Sequence, residues 1–173
     1  NTLSCNSQYL RQIMQQYAQG KSDNLAYRLA RRNAHNADAA LSTTLANMLM
    51  EPGHFRKDAD MGFRFLVMSH TLLSYLSGLG AHRDTELPAE VREQLIEEAG
   101  CKIADSIDQI AQGLATKQTV AVQSDEEETL ANALEQMPEE LDENQRLVQT
   151  QLALICRQLG PLRTLAAHLI KTP

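Results

Sequence analysis

Apolar residues recur along most of this chain in steps of three and four, the spacing that lines up one face of an α-helix. A first helix is predicted from about Thr2 to Ala18, where Leu3, Leu10 and Tyr17 repeat every seven residues with Ile13 and Met14 between them. A second runs from about Asp23 to Glu51, with Asp23 as its cap and a stripe of Tyr27, Ala30, Ala34, Ala37, Leu41, Thr44 and Met48. Alanines dominate that stripe, so a neighbouring helix can approach closely. Pro52-Gly53 stops it. A third, from about Lys57 to Gly80, is apolar nearly all round beyond Arg64, which predicts a central helix surrounded by the others.

The fourth helix runs from about Pro88 to Ala115, with Pro88 at its first position. Its inner face is Ile96, Ala99, Ile103, Ile107, Ile110 and Leu114. A short fifth spans about Asp125 to Met137, and Ser124 and Glu127 have capping-box spacing. The last runs from about Glu139 to Ile170 on Val148, Leu152, Ile155, Leu159, Leu162, Ala166 and Leu169. Pro161 lies inside it, so a kink is expected there. Only Thr119 to Val122 shows strand character, and four residues cannot build a sheet. The fold class is therefore all-α: an up-and-down bundle of four to five long helices plus one short one, with residues 1–173 as a single domain.

Composition supports this. Hydrophobic residues are 43% and aromatics 4%, with 8 Gly and 5 Pro, too few for a turn-rich β fold. The net charge of −6 argues against a nucleic-acid surface, which needs a positive field. Cys5, Cys101 and Cys156 are far apart and odd in number, which reads as free thiols rather than a disulfide scaffold or zinc site. The charge-free run from Phe65 to Ala81 falls short of the roughly 20 apolar residues a bilayer span needs, and reads as a buried core helix.

The densest polar group is Arg28, Arg31, Arg32, His35 and Asp38 on the second helix. The three arginines and His35 are three, four and seven apart and share a face. Arginine forks match carboxylates and phosphates, so the face is either an anion site or a solvated surface paired with acids on a neighbouring helix. His35 and Asp38, with His54 or His70 folded nearby, could supply metal ligands, but no HExxH or paired ExxH motif supports a metal site. His70, among Met68, Leu72 and Leu73, reads as a core histidine with one hydrogen-bonded partner. The link from Glu51 through His54 to Lys57 gathers several functional residue types that also serve as helix stop and restart signals. The acidic run Asp125 to Glu128 reads as a solvated helix start. No catalytic triad, Cys/His pair or phosphate-binding glycine loop stands out, so no enzyme activity and no cofactor are expected.

The stretch from Leu25 to Arg83 closely resembles the soluble C-terminal region of YccS/YhfK-type inner-membrane proteins, in the fusaric-acid-resistance-like (FUSC) group related to aromatic-acid exporters. The matching segments are Tyr27-Arg28, Ala30 to His35, Asp38 to Ser42 and Met48 to Pro52, with Tyr9-Leu10 and Gln16-Tyr17 before them. The first half of the chain carries the match; the second half agrees only in being helical and acidic. The resemblance implies a cytoplasmic regulatory or assembly domain of an efflux-type transporter in the bacterial inner membrane. Its expected partners are the membrane-embedded remainder of the same polypeptide, further copies of itself and a candidate small anionic ligand, with no nucleic acid. The alternative is a stand-alone helical module that binds a ligand or metal. The candidate interaction residues are Arg28, Arg31, Arg32, His35, Asp38, Glu51 and His54.

Overall fold

The computed structural model describes residues 2–22, 24–51, 56–136 and 140–171. They form α1 (Thr2–Gln19), α2 (Leu25–Met50), α3 (Arg56–Ala81), α4 (Ala89–Val91), a π-helical segment (Arg92–Glu97), α5 (Glu98–Thr116), α6 (Asp125–Glu135) and α7 (Glu143–Lys171). No strand occurs among the described residues, and the fold is an all-α bundle.

Four helices close a ring: α1 packs on α5, α5 on α7, α7 on α3, and α3 back on α1. The stripes explain the closure. On α7, Val148, Leu152, Ile155, Leu159, Leu162 and Ala166 are all buried, and on α5 so are Ala99, Ile103, Ile107 and Ile110. Each large aliphatic side chain taken fully out of water contributes about 1.5–3 kcal/mol. The remaining two long elements lie outside the ring. α2 packs on α1 and α3, and α6 packs on α7.

The central helix is α1, not the third helix as its apolar run suggests. Besides Leu3, Tyr9, Leu10, Ile13, Met14 and Tyr17, α1 buries Asn6, Ser7, Gln12 and Gln16. Some of these polar groups find specific partners. Ser7 Oγ donates to the Ala104 carbonyl at 3.2 Å, and Gln16 Oε1 accepts from the Ser22 N–H at 2.8 Å. The N-terminal half of α3 instead lies at the surface, with Val67 62% exposed. Phe65 and Met68 still pack against the core, but the apolar positions on the other faces of this half are left without cover.

Several termini differ from the pattern. Asn24 caps α2, its side chain accepting from the Tyr27 N–H at 2.7 Å, while the expected cap Asp23 lies outside the described residues. Pro88 precedes the first turn of α4 instead of occupying it. The fourth helix is not uniformly α: six residues from Arg92 take π geometry. α7 starts at Glu143 rather than Glu139, because Asp142 and Gln145 exchange side-chain-to-backbone hydrogen bonds of 2.8 and 3.1 Å across its first turn. It then continues helical through Pro161 to Lys171. Ser124 caps α6 as expected, accepting from the Glu127 N–H. The Glu127 carboxylate, however, does not turn back to the cap. It forms a buried ion pair with Arg163 of α7 at 2.6 Å, and Glu128 and Glu135 grip Arg157. The acidic start of α6 is thus a clamp onto α7, with only Asp125 and Glu126 left to solvent in its first three residues.

Candidate functional site

Where α1, α2 and the end of α3 meet, a cavity of about 480 Å³ opens between Tyr9, Tyr27, Arg28, Arg31, Ser77, Ala81 and Arg83. Each wall has a local cause. The Asn24 cap fixes the start of α2 and so places Tyr27, Arg28 and Arg31 within its first two turns. Tyr9 lies on the buried face of α1, and its ring meets Tyr27 at 5.9 Å between centroids with a 60° tilt. Gly80 makes that meeting possible. A Cβ there would lie 2.8 Å from Tyr27 Oη and 3.2 Å from Tyr9 Oη.

Arg83 follows the last turn of α3. Its Nη1 donates to the Gly80 carbonyl at 2.8 Å, a cation at the negative end of the helix. Its guanidinium carbon stands 4.5 Å over the centre of the Tyr27 ring, a cation–π contact. Its Nε is buried without an acceptor among the described residues.

Burial first, and then a hydrogen bond with Tyr27, pushes the Tyr9 phenol up to about 12, so it stays protonated at neutral pH. Ser77 also hydrogen-bonds Tyr9. One helical turn beyond Arg31, His35 has its Nε2 3.5 Å from Ser77 Oγ. Desolvation, then the nearby Arg31 charge, lowers the His35 pKa. The cavity therefore combines guanidinium groups and neutral hydroxyls, and the His35 imidazole, held toward its neutral form, lies behind Ser77 rather than in the lining. The guanidinium and hydroxyl groups can donate to an anion, and none of the lining side chains is an acid.

Arg28 and Arg31 of the expected face line this cavity; Arg32 is exposed and does not. Asp38 faces α3 instead, with Oδ2 2.8 Å from His70 Nδ1. His70 is accordingly a surface residue with 65% of its side chain exposed, not a core histidine, because its ring lies on the α2 side of α3 rather than toward the ring of helices. His35, Asp38 and His70 do approach one another, yet no group of three or more His, Cys, Asp or Glu suited to a metal occurs among the described residues. Glu51 ends α2, its N–H bonded to the Met48 carbonyl. At 1.5 Å per residue it lies roughly 35 Å along the helix from Arg28, so the arginine face and the Glu51 link are separate places. His54 falls outside the described residues. Tyr9, Ser77 and Arg83 were not among the expected site residues. A buried tyrosine needs a partner for its hydroxyl, and that requirement on α1 was the available signal.

The inner membrane protein YccS of Escherichia coli K12 is 32% identical over 169 residues, 97% of this chain. The chain is a relative of YccS. The likeness to YccS therefore extends well beyond the Leu25–Arg83 stretch and the first half. An uncharacterized protein of Haemophilus influenzae is 54% identical over 76 residues, 44% of the chain, and the uncharacterized protein ORF2 of Neisseria gonorrhoeae is 36% identical over 73 residues, 42% of the chain. The chain spans 22% of the length of YccS, and 11% and 18% of the other two. No family model and no solved structure matches. The YccS likeness ties the chain to a membrane protein, while no helix among the described residues is long and apolar enough to cross a membrane.

Proposed function

We propose that this chain is a cytoplasmic regulatory or assembly domain of an efflux-type inner-membrane transporter of the FUSC kind, and that it acts through contacts rather than catalysis. The observation that carries the reading is the YccS match over 97% of the chain but only 22% of YccS. On this reading, membrane attachment comes from sequence outside these 173 residues, and the domain couples to that part and to a second copy of itself.

The exposed apolar residues of the α2–α3 pair supply the contact surface. Leu49 and Met50 at the end of α2 and Val67 in the first half of α3 are 57%, 85% and 62% exposed. Met48, Met61, Phe63 and Leu66 on the same stretches of the two helices are half-buried. The alanine stripe of α2 is not available for this role, since Ala30 and Ala34 are buried within the bundle. An apolar surface of this kind on an otherwise charged chain marks an interaction site.

The test uses the full-length protein with Leu49→Asp and Val67→Asp together. Both side chains are exposed, so the isolated domain should keep its thermal midpoint. In membranes, cross-linking between copies or to the membrane part should fall at least tenfold. Unchanged cross-linking, or a complete gene lacking any membrane-spanning segment, sinks the proposal.

A further inference from the structure

The cavity beside α1 holds more positive charge than the fold uses. Three arginines elsewhere are matched with acids: Arg11 bridges Asp105 and Asp108 at 2.7 Å each, Arg157 is gripped by Glu128 and Glu135, and Arg163 by Glu127. Among the described residues no carboxylate lies within ion-pair distance of Arg31 or Arg83. That concentration is notable in a chain of net charge −6. Arg83 is also held in advance. Its contacts with the Gly80 carbonyl and the Tyr27 ring fix the guanidinium, while its buried Nε lacks an acceptor among the described residues. Ordering of that side chain need not be repeated on binding, which favours affinity.

We propose that this cavity binds a phosphate group, held by Arg31 and Arg83 with Arg28 at the rim and the Tyr9 and Ser77 hydroxyls as neutral donors. Donors reach the space from α1, α2, α3 and the turn after α3. That arrangement suits a tetrahedral group with several charged oxygens better than a planar carboxylate, which one arginine fork can satisfy. The two guanidinium groups of Arg31 and Arg83 match a dianion. At about 480 Å³ the cavity lies in the ordinary range for small-molecule sites, leaving room for the organic part of a phosphate ester. The phosphate could belong to a soluble ester or to a lipid headgroup at the membrane surface. The inference does not depend on the transport role, because it concerns only groups within this chain.

Calorimetric titration of the 173-residue chain with inorganic phosphate and pyrophosphate tests the site, with benzoate as the carboxylate comparison. Flotation with phosphatidylcholine vesicles containing phosphatidic acid or phosphatidylglycerol separates the two sources. Saturable binding is expected for a phosphate probe or for phosphatidic acid vesicles, with Kd below about 1 mM for the soluble probes. Arg31→Gln and Arg83→Gln should each weaken it roughly tenfold or more. Arg32→Gln removes the same charge one position away, outside the cavity, and should leave it within about twofold; thermal midpoints confirm that each variant is folded, and exposed Arg31 gives a reading even if Arg83→Gln is not. Binding of phosphatidic acid vesicles alone assigns the lipid source, and binding of soluble probes alone assigns the ester; both support the site. Absence of saturable binding in every arm overturns it. So does equal weakening by Arg32→Gln and Arg31→Gln, or benzoate binding as tightly as pyrophosphate.

Discussion

Arg163 on α7 and Arg31 on α2 present the same side chain in opposite surroundings. Arg163 is 6% exposed and lies against a Glu127 carboxylate that is itself 11% exposed, with a further bond from Nη1 to the Ala121 carbonyl. Every surrounding group answers its charge, and its role is to hold α6 and the loop before it onto α7. Arg31 is exposed at the rim of a cavity lined by Tyr9, Ser77 and Arg83 and by no acid. An arginine that completes the fold is surrounded by its counter-charges, whereas one beside another arginine and two hydroxyls leaves a positive field for something else to neutralise. The α6–α7 region also contains a cavity, of about 440 Å³, but Glu127, Glu128 and Asp125 line it together with Arg157. Acids outnumber the cation in its lining, so it carries no comparable pull on an anion. Cys156 on its wall has its thiol pushed up to about 12 by burial and by Glu127, which leaves it unreactive.

Removing the charge from Arg163 should break the molecule hardest. Arg163→Met strands the buried Glu127 carboxylate and should cost about 3–5 kcal/mol in urea unfolding, or roughly 6–20 °C in Tm for a chain of this size. Replacing both partners, Arg163→Met with Glu127→Gln, should recover most of that loss, since a buried pair is much less costly to replace than to halve. A single variant within about 1 kcal/mol of wild type would place Arg163 among the unneeded cations and erase the contrast with Arg31.

A pair of glycine substitutions is expected to act next most strongly, and it probes the other region. Gly80→Ala places its methyl 2.8 Å from Tyr27 Oη and 3.2 Å from Tyr9 Oη. Overpacking of this kind costs about 1–3 kcal/mol, against a gain of up to about 1 kcal/mol from helix propensity. A net loss in stability and weaker phosphate binding are expected, and Tyr27→Phe in the same background should restore part of the stability by removing the clashing oxygen. Gly160→Ala, in α7 with nothing within 4 Å of the added carbon, should gain about 0.5–1 kcal/mol. If chemical denaturation ranks the two substitutions equally, the phenols are not fixed by Gly80 and the cavity is not preformed.

The ring of four helices was legible because three of its members keep one face against partners along most of their length. Leu3, Leu10, Ile13, Met14 and Tyr17 on α1 and the stripes of α5 and α7 are buried as their spacing demands. The α2 stripe holds only where α1 and α3 both cover it. Tyr27, Ala30 and Ala34 are buried, but farther on Thr44 is exposed and Leu45 is buried in its place, against Gly62 of α3. A single neighbour selects a different face from the one that a two-sided groove selects. The apolar run of α3 misled for a related reason: hydrophobicity along a helix shows that it wants cover, not that cover is present. At the site, Arg28 and Arg31 could be paired from their separation of three. Tyr9, Ser77 and Arg83 could not be assigned to the same cavity, since they come from three elements and nothing in their local pattern joins them. Glu127 and Arg163, 36 residues apart, were hidden in the same way.

His35 offers the smallest expected effect and the finest comparison, because it reports on Arg31 without altering the fold. Its folded pKa is lowered below the usual 6.5, first by desolvation and then by Arg31, with His70 acting in the same direction and Asp38 against. A histidine with a lowered folded pKa contributes stability above its unfolded value and loses that contribution as pH falls from about 6.5 toward the folded value. Acidification should therefore weaken the domain slightly, through protonation of His35 beside Arg31. In an NMR titration of the imidazole Cε1–H, Arg31→Gln should raise the midpoint by removing one like charge, and Asp38→Asn should lower it further. Saturating phosphate should raise it in wild type, since an anion among Arg31, Ser77 and Tyr9 favours the imidazolium 3.5 Å from Ser77 Oγ. In the Arg31→Gln variant the same addition should move it much less. A midpoint indifferent to both Arg31 and phosphate would mean that burial alone sets His35, and that the open charge of Arg31 is spent on solvent.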